Sequence, residues 1–75
     1  MEFEQIQKII AEVLSVATDE VTPETRLVED FGADSLDLFQ IVMEIEETFG
    51  IEITEEQTKD IHTVEDAVNL LQSIK

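Results

Sequence analysis

The chain has 75 residues, no cysteine, and 19 acidic against four basic residues, for a formal net charge of −15. This length suits one small domain over residues 1–75, and without cysteine no disulfide framework is possible. We expect no metal site, since only His62 adds a nitrogen ligand. The charge excludes nucleic acid and anionic membranes as partners, because both select cationic surfaces.

Apolar content argues that the acidic chain is folded. Hydrophobic residues make up 43% of the sequence, whereas disordered acidic segments are poor in them. The apolar runs are too short for a membrane span or a signal peptide. We therefore expect a monomer whose partners are basic. It would be cytoplasmic, or located in an organelle after removal of a targeting segment.

The first half of the chain predicts one helix followed by a long loop. Apolar residues recur every third or fourth position from Phe3 to Ala17, which predicts an amphipathic helix over residues 3–15. The pattern lapses over residues 18–34, where Pro23 would interrupt a helix. Thr22 and Pro23 could open one short helical turn within this loop, because proline suits the first helical position.

The second helix is predicted over residues 35–49. Asp34 can cap its start while Asp37, three positions on, reaches back to form a capping box. Gly50 follows the last apolar position and suits the left-handed conformation that ends a helix. This assignment leaves Ser35 free, with its hydroxyl directed to water.

Two further helices are predicted after Gly50. Thr54 and Gln57 form a capping box for a short third helix ending near Ile61, and Thr63 with Asp66 forms one for the last helix. The pattern thus predicts an all-α domain with three longer helices and one short, and no strand.

The second helix is predicted to have a core side and a binding side. At about 100° per residue, Leu38, Ile41, Val42, Ile45 and Phe49 fall on the core side. Exposed single apolar residues are common, but Leu36, Phe39 and Met43 together among carboxylates favour a binding surface. The residues that we expect to contact partners are Asp34, Leu36, Asp37, Phe39, Met43, Glu44, Glu46 and Glu47.

Ser35 is predicted to be modified and not to act as a catalytic nucleophile. A serine near a helix start is usually a cap, but Asp34 already fills that role. A hydrolase would need a base within hydrogen-bond reach and an oxyanion hole, whereas His62 lies beside the Thr63 cap. We therefore expect no enzymatic activity.

The run over residues 31–37, Phe-Gly-Ala-Asp-Ser-Leu-Asp, resembles the phosphopantetheine attachment motif of acyl carrier proteins, above all the free-standing carriers of bacterial-type fatty acid synthesis. The resemblance implies a four-helix bundle with 4′-phosphopantetheine, taken from coenzyme A, as a phosphodiester on Ser35. Acyl chains would be held as thioesters on its thiol. The implied partners are a phosphopantetheinyl transferase and fatty acid synthesis enzymes, which would meet the acids through basic patches.

The same resemblance implies an acyl pocket between the helices, although core packing explains its residues equally well. Its expected lining is Val28, Phe31, Val42, Ile45, Ile53, Ile61, Ala67 and Val68. The chain departs from the usual family pattern at Leu38, Phe39, Gln40 and Glu44. These departures leave open a specialised carrier of a secondary pathway, such as a polyketide-like one. An unmodified acidic module that binds a basic protein is the alternative from another class.

Overall fold

The computed structural model describes residues 2–74, so Met1 and Lys75 of the predicted domain lie outside the described residues. Within 2–74 the chain forms five α-helices and no strand, which confirms the all-α helical bundle. The helices are α1 (Glu2–Leu14), α2 (Leu27–Phe31), α3 (Ser35–Phe49), α4 (Glu55–Lys59) and α5 (Val64–Ile74). The three longer helices and the short α4 were predicted, although α4 ends two residues before Ile61.

The core forms where α1 packs against α3 and α5. Ile6 and Ile10 of α1 and Ile41 and Ile45 of α3 are fully buried. Residues four positions apart lie on the same side of a helix, so each pair points one helix at the other. Leu71 brings α5 into the same cluster. The side of α3 that faces away from this cluster is exposed.

The loop between α1 and α3 holds more helix than the sequence indicated. A 3₁₀ turn forms at Thr18–Glu20, and α2 occupies Leu27–Phe31. A single hydrogen-bonded turn forms through Pro23, where the N–H of Thr25 donates to the carbonyl of Thr22 at 3.1 Å, and it does not continue into a helix. Gly32 ends α2 with φ of 68°, a left-handed conformation that glycine adopts without steric cost.

Backbone hydrogen bonds fix the start of α2 beside the start of α5. The N–H of Leu27 donates to the carbonyl of His62 at 3.0 Å, and the N–H of Val64 donates to the carbonyl of Thr25 at 3.1 Å. These two bonds form an isolated antiparallel bridge. The bridge holds the segment that leads into α3, and so it helps to position the chain before Ser35.

Arg26 forms ion pairs with two acids that lie three and four residues further along the chain. Its guanidinium contacts Glu29 at 2.7 Å and Asp30 at 3.2 Å. The backbone N–H and guanidinium of Arg26 lower the pKa of Asp30 below its usual value, and the hydrogen bond from Arg26 to Asp30 raises the pKa of the guanidinium. This cation therefore offsets carboxylates of α2.

The start of α5 is capped as predicted. The carboxylate of Asp66 accepts from the N–H groups of His62 at 3.0 Å and Thr63 at 3.1 Å, and the Asp66 N–H donates to the Thr63 hydroxyl at 3.1 Å. The hydrogen bond from the His62 N–H, followed by those from Thr63, lowers the pKa of Asp66 against the opposing effect of partial burial. The ionised carboxylate is thus part of the folded state.

We expect Asp66→Ala to destabilise the protein by about 1 kcal/mol at neutral pH, because the N–H groups of His62 and Thr63 lose their acceptor. Because the folded-state pKa of Asp66 is lowered, its contribution is complete above the unfolded pKa and is lost as pH falls through the folded pKa. The difference from the parent should therefore shrink in acid. Urea unfolding of both proteins at neutral pH and down the acid range measures it.

The matched control is Glu65→Ala, which removes an exposed acid from the same first turn. This variant should stay close to the parent at each pH. A cost for Asp66→Ala that stays constant down to the most acidic pH would contradict the assigned role of the ionised carboxylate.

Candidate functional site

A reciprocal capping box fixes the start of α3. The Asp34 carboxylate accepts from the N–H of Asp37 at 2.9 Å, and the Asp37 carboxylate accepts from the N–H of Asp34 at 3.3 Å. Asp34 itself has extended backbone angles, as a residue before a helix requires. This pair confirms the predicted box and satisfies N–H groups that would otherwise lack a partner.

Ser35 is the first residue of α3 and is exposed. Its hydroxyl makes no hydrogen bond with any residue from 2 to 74, because Asp34 performs the capping that a serine at a helix start usually performs. The positive end of the helix dipole tolerates a phosphate ester, even beside two carboxylates. The structure therefore leaves the hydroxyl accessible for covalent modification.

Three large apolar side chains project from the outer side of α3. Leu36 is 76% exposed, Phe39 45% and Met43 56%. They lie among carboxylates, as the helical periodicity predicted. An exposed apolar group surrounded by charge is typical of a surface that binds another protein. We call this surface the α3 face: Asp34, Leu36, Asp37, Phe39, Met43, Glu44, Glu46 and Glu47.

The acids of the α3 face have different structural roles. The carboxylate of Glu46 accepts from the N–H of Ile53 at 2.7 Å, across the turn at Gly50. Asp37 belongs to the capping box. By contrast, Glu47 is exposed and forms no hydrogen bond or ion pair with the described residues. The sequence placed all three on the surface, but the bond to Ile53 joins residues seven apart and has no local signal.

Two surface cavities flank α3. The first, of about 560 Å³, lies at the C-terminal end of the helix. Three glutamates line it and make it negatively charged. Its lining is Met43, Glu46, Glu47, Ile51, Glu52, Ile53 and Thr54. A cavity with apolar walls and several carboxylates suits a basic side chain of a partner protein.

The second cavity, of about 280 Å³, adjoins Ser35 and lies between α3 and α4. We call it the serine groove: Ser35, Leu38, Phe39, Glu55, Thr58 and Lys59. The sequence pointed to Ser35 and Phe39 but did not assign Thr58 or Lys59 to the site. Their place depends on how α4 packs beside the start of α3, which no local pattern reveals.

The residues expected to line an acyl pocket divide by burial. Val42, Ile45, Ile61 and Ala67 are buried in the core, whereas Val28 is 52% exposed and lies at the surface. Phe31, Ile53 and Val68 are partly buried against the core.

No helix in residues 2–74 is long and apolar enough to cross a membrane. Over the same range, no group of three or more His, Cys, Asp or Glu side chains is placed to hold a metal ion.

Comparison with known proteins identifies the chain. Residues 4–71 match the family described as the phosphopantetheine attachment site. Acyl carrier proteins of Helicobacter pylori strains G27 and HPAG1 are each 48% identical over 73 residues, which cover 97% of this chain and 94% of the relative. The solved acyl carrier protein of Enterococcus faecalis superposes with a TM-score of 0.82 at 33% identity, covering 97% of this chain and 92% of that one.

The helical fold and the family match over residues 4–71 define a carrier domain. The chain belongs to the acyl carrier protein family. Its function is to carry acyl chains for fatty acid synthesis, its cofactor is phosphopantetheine, and it is not an enzyme. The resemblance found in the sequence is thereby confirmed, and the match to the attachment family argues against an unmodified acidic module.

Substitutions at Asp34 and Ser35 distinguish the residue that caps α3 from the neighbouring residue that takes no part in the cap. We expect Ser35→Ala to change the free energy of unfolding by less than about 0.5 kcal/mol, because an exposed hydroxyl without a partner is lost. Asp34→Ala should cost about 1 kcal/mol because it removes the cap. Urea unfolding of the unmodified proteins measures both effects.

Asp34→Asn serves as the control, since asparagine caps helices about as well as aspartate. It should unfold close to the parent. A loss of stability in Ser35→Ala equal to that in Asp34→Ala would show that the serine takes part in the cap.

Proposed function

We propose that Ser35 is the residue to which phosphopantetheine is attached. The observation that supports this most strongly is that Asp34 caps α3, so the adjacent Ser35 hydroxyl is exposed and has no hydrogen-bond partner in the described chain. The family match spans the residue, and the serine groove beside it offers space for part of the arm.

The residues present fit the chemistry of such an attachment. The Ser35 oxygen would attack the phosphorus of coenzyme A that bears the pantetheine, the pyrophosphate bond would break, and the nucleotide would leave with the other phosphate. The hydroxyl proton would pass to a base of the transferase, since Ser35 has no base bonded to it in residues 2–74. The bound group supplies the thiol for thioesters, which this chain without cysteine lacks.

The α3 face is the surface that we propose for docking a phosphopantetheinyl transferase and fatty acid synthesis enzymes. Ten acids and no Lys or Arg occur over residues 27–58. The charged side chains of this stretch are therefore all negative and attract a partner with a basic patch. Leu36 and Met43 add apolar contacts that can be buried on binding. Exposed acids then speed the encounter, and the apolar side chains slow dissociation.

The acyl chain is proposed to lie among the apolar side chains beneath α3. Val42, Ile45, Ile61 and Ala67 form an apolar interior without polar atoms to desolvate, and Phe31, Ile53 and Val68 border it. Because this interior is packed, these side chains must move apart to admit a chain. Val28 contributes at most from the surface.

The cytoplasmic location, the monomeric state and the single domain stay predictions.

Loading tests the proposal directly. We expect the unmodified protein, incubated with coenzyme A and a broad-specificity phosphopantetheinyl transferase, to gain the mass of one phosphopantetheine, and we expect Ser35→Ala to gain none. Intact mass spectrometry measures the gain, and fragmentation locates it.

The control for loading is Ser73→Ala, which removes an exposed serine of α5. This variant should load like the parent. Modification of Ser35→Ala, or a parent modified at another residue, would contradict the attachment at Ser35.

Glu47 offers the cleanest test of docking, because Asp37 and Glu46 also stabilise the fold. We expect Glu47→Lys to slow association with the transferase about tenfold or less, with little change in dissociation, since exposed charges act on the encounter. Met43→Ala should instead speed dissociation. Stopped-flow binding at two salt concentrations measures both rates.

Glu12→Lys on α1 makes the same change of net charge at an exposed position away from α3. It should alter association much less than Glu47→Lys. Equal rates for the two charge reversals would mean that net charge attracts the transferase without a defined face.

A further inference from the structure

Lys59 has an unusual position for a cation in this chain. It is the only Lys or Arg between Arg26 and Lys75, and it borders the serine groove together with Ser35. Glu55, four residues earlier on α4, borders the same groove, yet Lys59 forms no ion pair with any residue from 2 to 74. The ammonium group is therefore available to an anion that enters the groove.

We propose that Lys59 pairs with the phosphodiester formed on Ser35 and that the serine groove holds the first part of the phosphopantetheine arm. The inference rests on the proposed attachment at Ser35 and adds a positioning residue to it. Lys59 does not take part in attachment chemistry. Its role is to give a flexible arm a preferred place on the protein surface.

Charge complementarity supports this occupant. A phosphodiester keeps one negative charge at neutral pH, and the nearest charged residues along the chain, Asp34 and Asp37, are carboxylates that repel it. Among the residues that line the groove, Lys59 alone is a cation. An exposed ion pair changes the ratio of groove-bound to free arm by up to about fivefold. The arm is therefore held reversibly and remains free to leave.

The walls of the groove suit the atoms that follow the phosphate. In phosphopantetheine a methylene and then a carbon with two methyl groups follow the phosphate, and Leu38 and Phe39 offer apolar surface there. The hydroxyl of Thr58 donates to the Thr54 carbonyl at 2.9 Å, which leaves its methyl group for packing. At about 280 Å³ the groove is near the lower limit for small-molecule sites, so it takes only part of the arm.

The experiment compares unmodified and phosphopantetheine-loaded protein by amide NMR, with Lys59→Gln, Lys59→Arg and Lys8→Gln beside the parent. Lys8 is exposed on α1, so Lys8→Gln makes the same charge change outside the groove. Intact mass first establishes loading of each protein. The readout is the amide shift change of residues 55–59 on loading, at low and at high salt.

We expect loading to shift these amides in the parent, in Lys8→Gln and in Lys59→Arg, and the shift to fall by at least half in Lys59→Gln. High salt should reduce the shift in the parent in the same way, because screening weakens an exposed pair. If loaded parent shows no shift at 55–59, or Lys59→Gln keeps the full shift, the assigned role of Lys59 is wrong while attachment at Ser35 stands. If Ser35 does not load at all, the proposed function fails and this inference with it.

Discussion

The capping box at the start of α3 is the interaction on which the functional surface depends. Helix starts need acceptors for their N–H groups, and serine is among the residues that serve most often. Here Asp34 and Asp37 satisfy that need reciprocally. Because these carboxylates accept the hydrogen bonds, the Ser35 hydroxyl between them has no structural role. The same helix places its apolar residues in the core on one side and its contact residues on the other.

Much of this arrangement could be predicted from the sequence, because its signals are local. Capping boxes join residues three apart, and the box at Asp34 and that at Thr63 both formed as predicted. Gly50 marks the end of α3, with φ of 65°. The exposure of Leu36 and Met43 follows from helical periodicity alone. For these features, neighbouring residues determine the conformation almost completely.

The features that could not be predicted depend on contacts distant in sequence or on very short elements. At five residues, α2 is too short to show a helical period, and Gly32 was its one visible signal. The hydrogen bond from Leu27 to His62 joins residues that are 35 positions apart. The hydrogen bond from the Ile53 N–H gives Glu46, a predicted contact residue, a role in the fold as well. Lys59 came beside Ser35 only through the packing of α4 against α3.

The rigid start of α3 has a mechanical consequence for a carrier. The two hydrogen bonds between Asp34 and Asp37 span Ser35 and constrain its backbone, so Ser35 is a fixed pivot if it bears the arm as proposed. The reach to successive active sites must then come from rotations within the attached arm. An enzyme that docks on the α3 face, as proposed, would therefore meet the pivot at the same place and orientation. The distance from docking surface to thiol is set by the length of the arm and not by flexing of the bundle.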